Sequence, residues 1–354
     1  MPPLATVGIL SIGEMGMGVA KLLIAHNYRV VTNVEGRSAD THTRVQTANI
    51  EPLPSDTSLV SASDYILSIV PPRDALATAK RISTALSSLS SPKPTPLYYL
   101  DLNAISPRSA REIATLFSST APSIKLVDGG IIGGAPFPKD PTADPNPPPP
   151  KTTTSSHPET SHAWNRPSVP TSGPHPLSQA PISGAHLAET LNVRHISDEI
   201  GSASGLKCCF ASTTKGFTAL CIQAFTTASN LGVFEELQKE MEGRIPAMWK
   251  GSAGIAGMAP KAYRWVREME EIAVTHAEDG GFEGGAGLLG SQGRGGGGGK
   301  GVGIFDAVAE VYREVAEDTV LGEEKTERRK RGRTREDVAL AMGEGLREKR
   351  KKKA

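Results

Sequence analysis

A short apolar run, a glycine-containing turn and an amphipathic stretch follow one another within the first 26 residues, and units of this kind then recur. Apolar runs occupy residues 6–10, 28–34, 65–70, 97–102 and 125–132. They are rich in Val, Ile, Leu and Tyr and end in turn or small residues, as buried parallel strands do. Between them, residues 14–26, 73–89 and 106–117 carry helical apolar spacing, and Ser106-Pro107 reads as an N-cap and first helical residue. Alternating strand and helix predicts an α/β fold with a doubly wound, mostly parallel sheet.

The alternation is interrupted twice. From about 137 to 178 the pattern stops, and 147–150 are four consecutive prolines followed by Lys151, threonines and serines. Such a stretch cannot bury enough apolar surface to offset its ordering entropy, so a disordered insertion is expected there. Pattern resumes at 179–191 and 194–197, which complete the first domain, 1–198. Residues 199–322 read as a smaller all-α domain. One long helix is expected over 205–243, with Gly216 and Gly232 as its few breakers, and further helices near 260–276 and 304–318. A glycine-rich second insertion lies at about 280–303.

The tail, 323–354, holds 13 Lys/Arg against 7 Asp/Glu, which is +6, so the rest of the chain is −5 for a total of +1. It is expected to be disordered or partly helical. Residues 328–331 and 349–353 resemble nuclear-import or polyanion-binding patches, with a solvated tail as the plainer reading. On the plainer reading, deleting 323–354 leaves an enzyme its turnover.

Whole-chain charge gives no reason to expect nucleic acid as a partner, although the basic tail leaves that open. Cys208, Cys209 and Cys221 lack disulfide-framework or metal-ligand spacing, and the histidines show no ligand spacing, so no metal is expected. No apolar run approaches the roughly 18 residues that span a bilayer, and the first strand begins too early to leave room for a signal peptide. A cytoplasmic location is expected, with the nucleus as the alternative through the tail.

Three segments carry chemistry. The first is Gly8-Ile9-Leu10-Ser11-Ile12-Gly13-Glu14-Met15-Gly16, a strand running through a tight turn into a helix. Gly13 and Gly16 permit close backbone approach to a pyrophosphate, which would rest on the helix N-terminus, as in Rossmann dinucleotide sites. Ser11 stands where the first Gly of GxGxxG is usual. Ser11, Ile12, Gly13, Glu14, Met15 and Gly16 are therefore candidate cofactor contacts. The second segment, Asn33-Val34-Glu35-Gly36-Arg37-Ser38, ends the second strand. Glu35 suits an adenosine ribose and NAD, whereas Arg37 and Ser38 suit a 2′-phosphate and NADP, with Asn33 compatible with either. NADP is the favoured cofactor and NAD the alternative. The third group is the loops at strand ends: Val70-Pro71-Pro72, Asp101-Leu102-Asn103-Ala104-Ile105-Ser106-Pro107 and Asp128-Gly129-Gly130-Ile131-Ile132-Gly133-Gly134. Val70, Pro71 and Asn103 join the cofactor candidates, and Gly130, Ile132, Gly133 and Gly134 those for substrate.

This order of segments resembles the β-hydroxyacid dehydrogenase and 6-phosphogluconate dehydrogenase superfamily, in a branch with a short helical C-terminal domain. The resemblance covers most of 4–136 and 179–320. It implies a nicotinamide-dependent oxidoreductase and a homodimer, and it places the catalytic lysine, after Gly201-Ser202-Ala203-Ser204-Gly205-Leu206, at Lys207. Ile132 stands where many members have a serine for a substrate carboxylate, and Phe210 and Ala211 occupy the region of the family's asparagine.

The implied reaction is hydride transfer between a nicotinamide and a small substrate's carbon bearing a hydroxyl or amine, with Lys207 as general acid/base. A lysine of ordinary pKa, about 10.4, would need a value of about 7–8 for this work. Lys215, eight residues on, would assist it or grip an anionic substrate. The competing reading is a non-catalytic dinucleotide-binding scaffold or sensor whose insertions and tail recruit partners.

Overall fold

A computed structural model of the chain describes residues 1–139, 163–282, 303–325 and 328–353. Two compact units are present, Met1–Lys207 and Cys208–Ala354. The division falls inside a helix, where the sequence had suggested a boundary at 198/199. Of the insertions expected at 137–178 and 280–303, most residues lie outside the described ones.

In the first unit the elements run β1 (Thr6–Leu10), α1 (Glu14–Ala25), β2 (Arg29–Asn33), α2 (Ala39–Thr47), β3 (Glu51–Leu53), α3 (Asp56–Ala62), β4 (Tyr65–Ser68), α4 (Ala75–Ser87), β5 (Leu97–Asp101), α5 (Pro107–Thr120) and β6 (Ile124–Gly129). A two-stranded ribbon of β7 (Phe137–Pro138) and β8 (Trp164–Asn165) comes next, then β9 (Val169–Ser172), α6 (Gly184–Thr190) and β10 (Val193–Ser197). Eight strands form one sheet in the order β10-β9-β6-β5-β4-β1-β2-β3, parallel throughout except between β6 and β9. Strand order reverses at β1/β4, the topological switch point beside which open α/β sheets bind ligands.

Side-chain alternation explains why both faces are covered. Val7 and Ile9 of β1 and Tyr65 and Leu67 of β4 enter one apolar layer with Leu22 and Leu23 of α1. Leu10, Ile66 and Tyr99 enter the other with Ala79 and Ile82 of α4 and Ile113 and Phe117 of α5. As its sequence suggests, α5 starts at Pro107 behind a Ser106 N-cap whose hydroxyl accepts from the Ser109 amide.

One correction concerns 163–178. These residues fall in the stretch expected to be disordered, yet β9 is wholly buried between β6 and β10. Pro170 donates nothing to the ladder, but its carbonyl accepts from the Gly130 amide at 3.1 Å. The polar residues of the strand hide its burial from any hydrophobic pattern.

A 30-residue helix, α7 (Ser202–Leu231), leads from the first unit into the second. It stops where Gly232 takes φ +72° and the Gly232 and Val233 amides turn back to Ser229 and Ala228. The helix expected over 205–243 is therefore two, α7 and α8 (Phe234–Arg244). Then come α9 (Pro246–Gly251), α10 (Ala262–Glu278), α11 (Ile304–Asp318) and α12 (Arg335–Lys353). Their core gathers Phe225, Trp249, Met269 and Tyr312, with the Trp265 ring edge-on to Tyr312 at 5.2 Å.

The tail is not a solvated appendage. Val338, Ala339, Ala341 and Met342 of α12 are buried in the core of the second unit. Arg331 pairs with Asp337 at 2.7 Å and with Glu344 at 3.2 Å. Arg335 donates to the Trp249 carbonyl at 2.7 Å and lies 3.9 Å over its ring, and Lys349 pairs with Asp318 at 2.5 Å. Small apolar residues among so many cations escape a charge count, although they are enough to dock the helix.

Candidate active site

The turn between β1 and α1 has the shape of an anion cradle. Ser11 adopts φ +75°, a region costly for any residue with a Cβ, which is why glycine is usual at this point. A Cβ on Gly16 would stand 2.2 Å from the Ser11 carbonyl oxygen, so the turn closes only with glycine there. Above Gly13 there is nothing within 4 Å of a Cβ position, and α1 has no side-chain cap. The helix thus begins without a side-chain cap and with room above Gly13, as a pyrophosphate at a helix N-terminus requires. These residues fit a dinucleotide.

At the end of β2 the sequence candidates separate. Asn33 is consumed locally: its Nδ2 donates to Asp56 at 2.8 Å and its Oδ1 accepts from the Glu35 amide at 2.9 Å. Glu35 and Arg37 are exposed, and the Ser38 hydroxyl caps α2 by accepting from the Thr41 amide. A residue that the sequence did not single out, Arg44 of α2, donates through Nε to the Ile12 carbonyl at 2.7 Å and through a terminal nitrogen to Thr41 Oγ1 at 3.2 Å. No local motif marks it.

Asn103 is buried behind β4 and β5. Its Oδ1 accepts from the Val70 amide at 2.7 Å, while its Nδ2 donates to Ser68 and Asp101, each at 3.0 Å. This amide pins the loop that begins with Val70 and Pro71 beside the switch point.

The glycine-rich loop after β6 packs against α1, since a Cβ on Gly18 would lie 2.9 Å from the Pro136 carbonyl. Ile132 exchanges backbone hydrogen bonds with Ser168, Gly133 takes φ +129°, and Gly134 is exposed. Lys207, in the second turn of α7, donates from Nζ to the Ile131 carbonyl at 2.5 Å. Its Cβ lies over Gly130, where a side chain would collide with it. The start of α7 is held from the sheet. The buried Asp128 carboxylate accepts from Ser172 Oγ at 2.7 Å, the Gly201 amide at 2.9 Å, Ser204 Oγ at 2.5 Å and the Ser204 amide at 3.3 Å. Ser172 Oγ in turn accepts from the Ala203 amide at 3.0 Å. Asp128 and Ser172, distant in sequence, together cap the lysine-bearing helix. Ser172 was missed because its strand was unrecognised.

Lys215, a substrate candidate, belongs to the second unit. There it forms an ion pair with Glu268 and lies 4.7 Å over the Trp265 ring. Its charge is met by a carboxylate and an aromatic face, an arrangement for packing rather than for gripping an anion. Burial pushes the Cys221 thiol up to about 11. Among the described residues, no cluster of His, Cys, Asp or Glu could hold a metal ion, and no helix is long and apolar enough to cross a membrane.

Residues 6–140 match a family described as the NAD binding domain of 6-phosphogluconate dehydrogenase, and 228–315 match a domain of unknown function, DUF1932. A 3-hydroxyisobutyrate dehydrogenase from Mycobacterium tuberculosis, solved with L-serine, is 14% identical, with TM-score 0.56, over 98% of this chain and 100% of its own. Another, from Salmonella typhimurium, is 14% identical, with TM-score 0.54, over 87% and 99%. A conserved protein of unknown function, described as structurally similar to 3-hydroxyacid dehydrogenases, is 21% identical, with TM-score 0.53, over 88% and 97%. At these identities the likeness is one of fold. No curated protein matches the sequence.

Proposed function

The chain belongs to the β-hydroxyacid dehydrogenase and 6-phosphogluconate dehydrogenase superfamily, and on that premise we propose that Lys207 moves the proton in its nicotinamide-dependent reaction. Fold and family match NAD(P)-dependent dehydrogenases and reductases of the 6-phosphogluconate dehydrogenase type. The Ser11–Gly16 turn would hold the pyrophosphate, and Arg37, on the exposed loop after β2, would meet the 2′-phosphate of NADP. A nicotinamide, when bound, supplies or accepts the hydride. Lys207 then gives a proton to, or takes one from, the substrate oxygen or nitrogen on the reacting carbon. The substrate class is a small molecule with a hydroxyl or amine on that carbon. Ile132, in place of a serine, favours one that depends little on a carboxylate anchor.

The observation that carries this reading is the position of the Lys207 ammonium. It rests on the Ile131 carbonyl in the glycine-rich loop, and that same loop packs on α1, whose N-terminus forms the cradle. The Ile131 carbonyl aims the ammonium within the loop expected to meet the substrate. A recruiting scaffold is the weaker reading, because the basic tail, one of its two supports, is built into the helical core.

The test is a titration with NADPH and NADH, followed by turnover of Lys207→Ala on screened carbonyl and imine substrates. The expected result is saturable dinucleotide binding that the substitution leaves near unchanged, with turnover lost. Turnover retained by Lys207→Ala would remove the lysine from the mechanism, and binding of neither dinucleotide would remove the cofactor.

A further inference from the structure

Arg44 lies outside every motif that marks the cofactor turn, yet it holds that turn by its backbone. Its Nε donates to the Ile12 carbonyl at 2.7 Å, and its other arm bonds Thr41 Oγ1 in the first turn of α2. The Ile12 carbonyl and the Gly13 N–H belong to one planar trans peptide and point in opposite directions. Fixing the carbonyl onto Arg44 therefore fixes the Gly13 N–H away from Arg44. Gly13 is also the residue above which the structure leaves open space.

The turn needs such a hold because of its neighbour. Ser11 sits at φ +75°, where a non-glycine residue is strained, and such a conformation persists only where surrounding contacts impose it. If released, Ser11 would relax to negative φ and swing the Ile12–Gly13 peptide with it. A glycine at the same position would feel no such drive.

We propose that Arg44 is a positioning residue for the dinucleotide pyrophosphate: it locks the Ile12–Gly13 peptide and so compensates for Ser11 at a turn built for glycine. The inference rests on the cofactor reading and adds a residue to it. It differs from a role as a second cation for a 2′-phosphate, because it demands equal effects on NADPH and NADH.

Four proteins titrated with both dinucleotides test this, with the unliganded thermal midpoint of each reporting that it is folded. Arg44→Ala is expected to weaken NADPH and NADH by the same factor, roughly tenfold, the worth of one hydrogen bond to a charged phosphate. Arg44→Gln places an amide N–H where Nε was and carries no charge, so it is expected to retain most of the affinity. Ser11→Gly with Arg44→Ala is expected to recover most of what Arg44→Ala loses. A loss confined to NADPH, an Arg44→Gln as weak as Arg44→Ala, or no recovery with Ser11→Gly would each overturn the proposal while leaving the cofactor reading intact. Failure of the unsubstituted chain to bind either dinucleotide would overturn both.

Discussion

Gly130 and Lys207 occupy space that only one side chain can fill: a Cβ on Gly130 would stand 2.8 Å from the Lys207 Cβ, closer than real Cβ atoms approach. Both atoms sit near backbone, so neither can swing aside as a flexible chain end would. Gly130→Ala is therefore expected to push the start of α7 from the loop and move the lysine from the Ile131 carbonyl. Displacements of about an ångström can cost on the order of a hundredfold in rate. Turnover should fall by that order while NADPH affinity, read by nicotinamide fluorescence, stays within a few-fold. Unchanged turnover would show that the lysine needs no such close seat.

Asp128 holds the same helix from the other side. Replacing it with Ala leaves buried donors of Ser172, Gly201 and Ser204 without their acceptor. Each unsatisfied buried group costs about 1–3 kcal/mol, though hydroxyls can turn to new partners, so a total loss of roughly 3–5 kcal/mol is expected. Urea unfolding of Asp128→Ala against the unsubstituted chain measures it. A loss below about 1 kcal/mol would mean that this network contributes little.

Much of the first unit was legible because it is written in periodicity. The five apolar runs became β1, β2, β4, β5 and β6, and the glycine turn became the link from β1 into α1. What escaped was of another kind. The strand β9 carries Pro170, Thr171 and Ser172, and nothing in that composition announces burial. Asn33 and Asn103 were legible as polar residues at strand ends beside the cofactor edge, but each amide is engaged both with a residue two positions away and with one brought from a distant element, Asp56 for Asn33 and Ser68 and Val70 for Asn103. Arg44 had no signal because its partner is a backbone carbonyl, which any residue supplies. Lys215 was placed by helical phase alone, and phase says nothing of the Glu268 carboxylate brought to it from α10.

The tail gives a prediction that reverses the sequence-based expectation. Deleting 323–354 removes Val338, Ala339, Ala341 and Met342 from the core of the helical unit. A fully buried Val or Met alone contributes about 1.5–3 kcal/mol, so the deletion forfeits roughly 5 kcal/mol or more. That is comparable with the net stability of a typical domain, about 5–15 kcal/mol. The truncated chain should lose helical signal in the far ultraviolet at ordinary temperature and be cut rapidly by protease in 208–322. A truncation that keeps its thermal midpoint would show that α12 is dispensable.

Docking of α12 should also depend on acid pH, through Asp337. Burial raises its pKa, but the Arg331 guanidinium and the Gly332 and Arg333 amides outweigh that and hold the carboxyl below its ordinary value. A carboxyl depressed in the folded state contributes stability that is fully present above its unfolded pKa, about 3.9, and lost as pH falls through the lower folded value. Arg331 and Asp337 remain 33% and 28% exposed, so solvent screening limits the contribution to the order of 1 kcal/mol. Asp337→Asn is accordingly expected to be less stable than the unsubstituted chain by about that amount at pH 6. The difference should vanish in strong acid, once the pH has fallen through that lower folded value and both side chains are neutral. Paired urea titrations at the two pH values measure the difference, and a gap that persists in acid would assign the stabilisation to packing rather than to the charge.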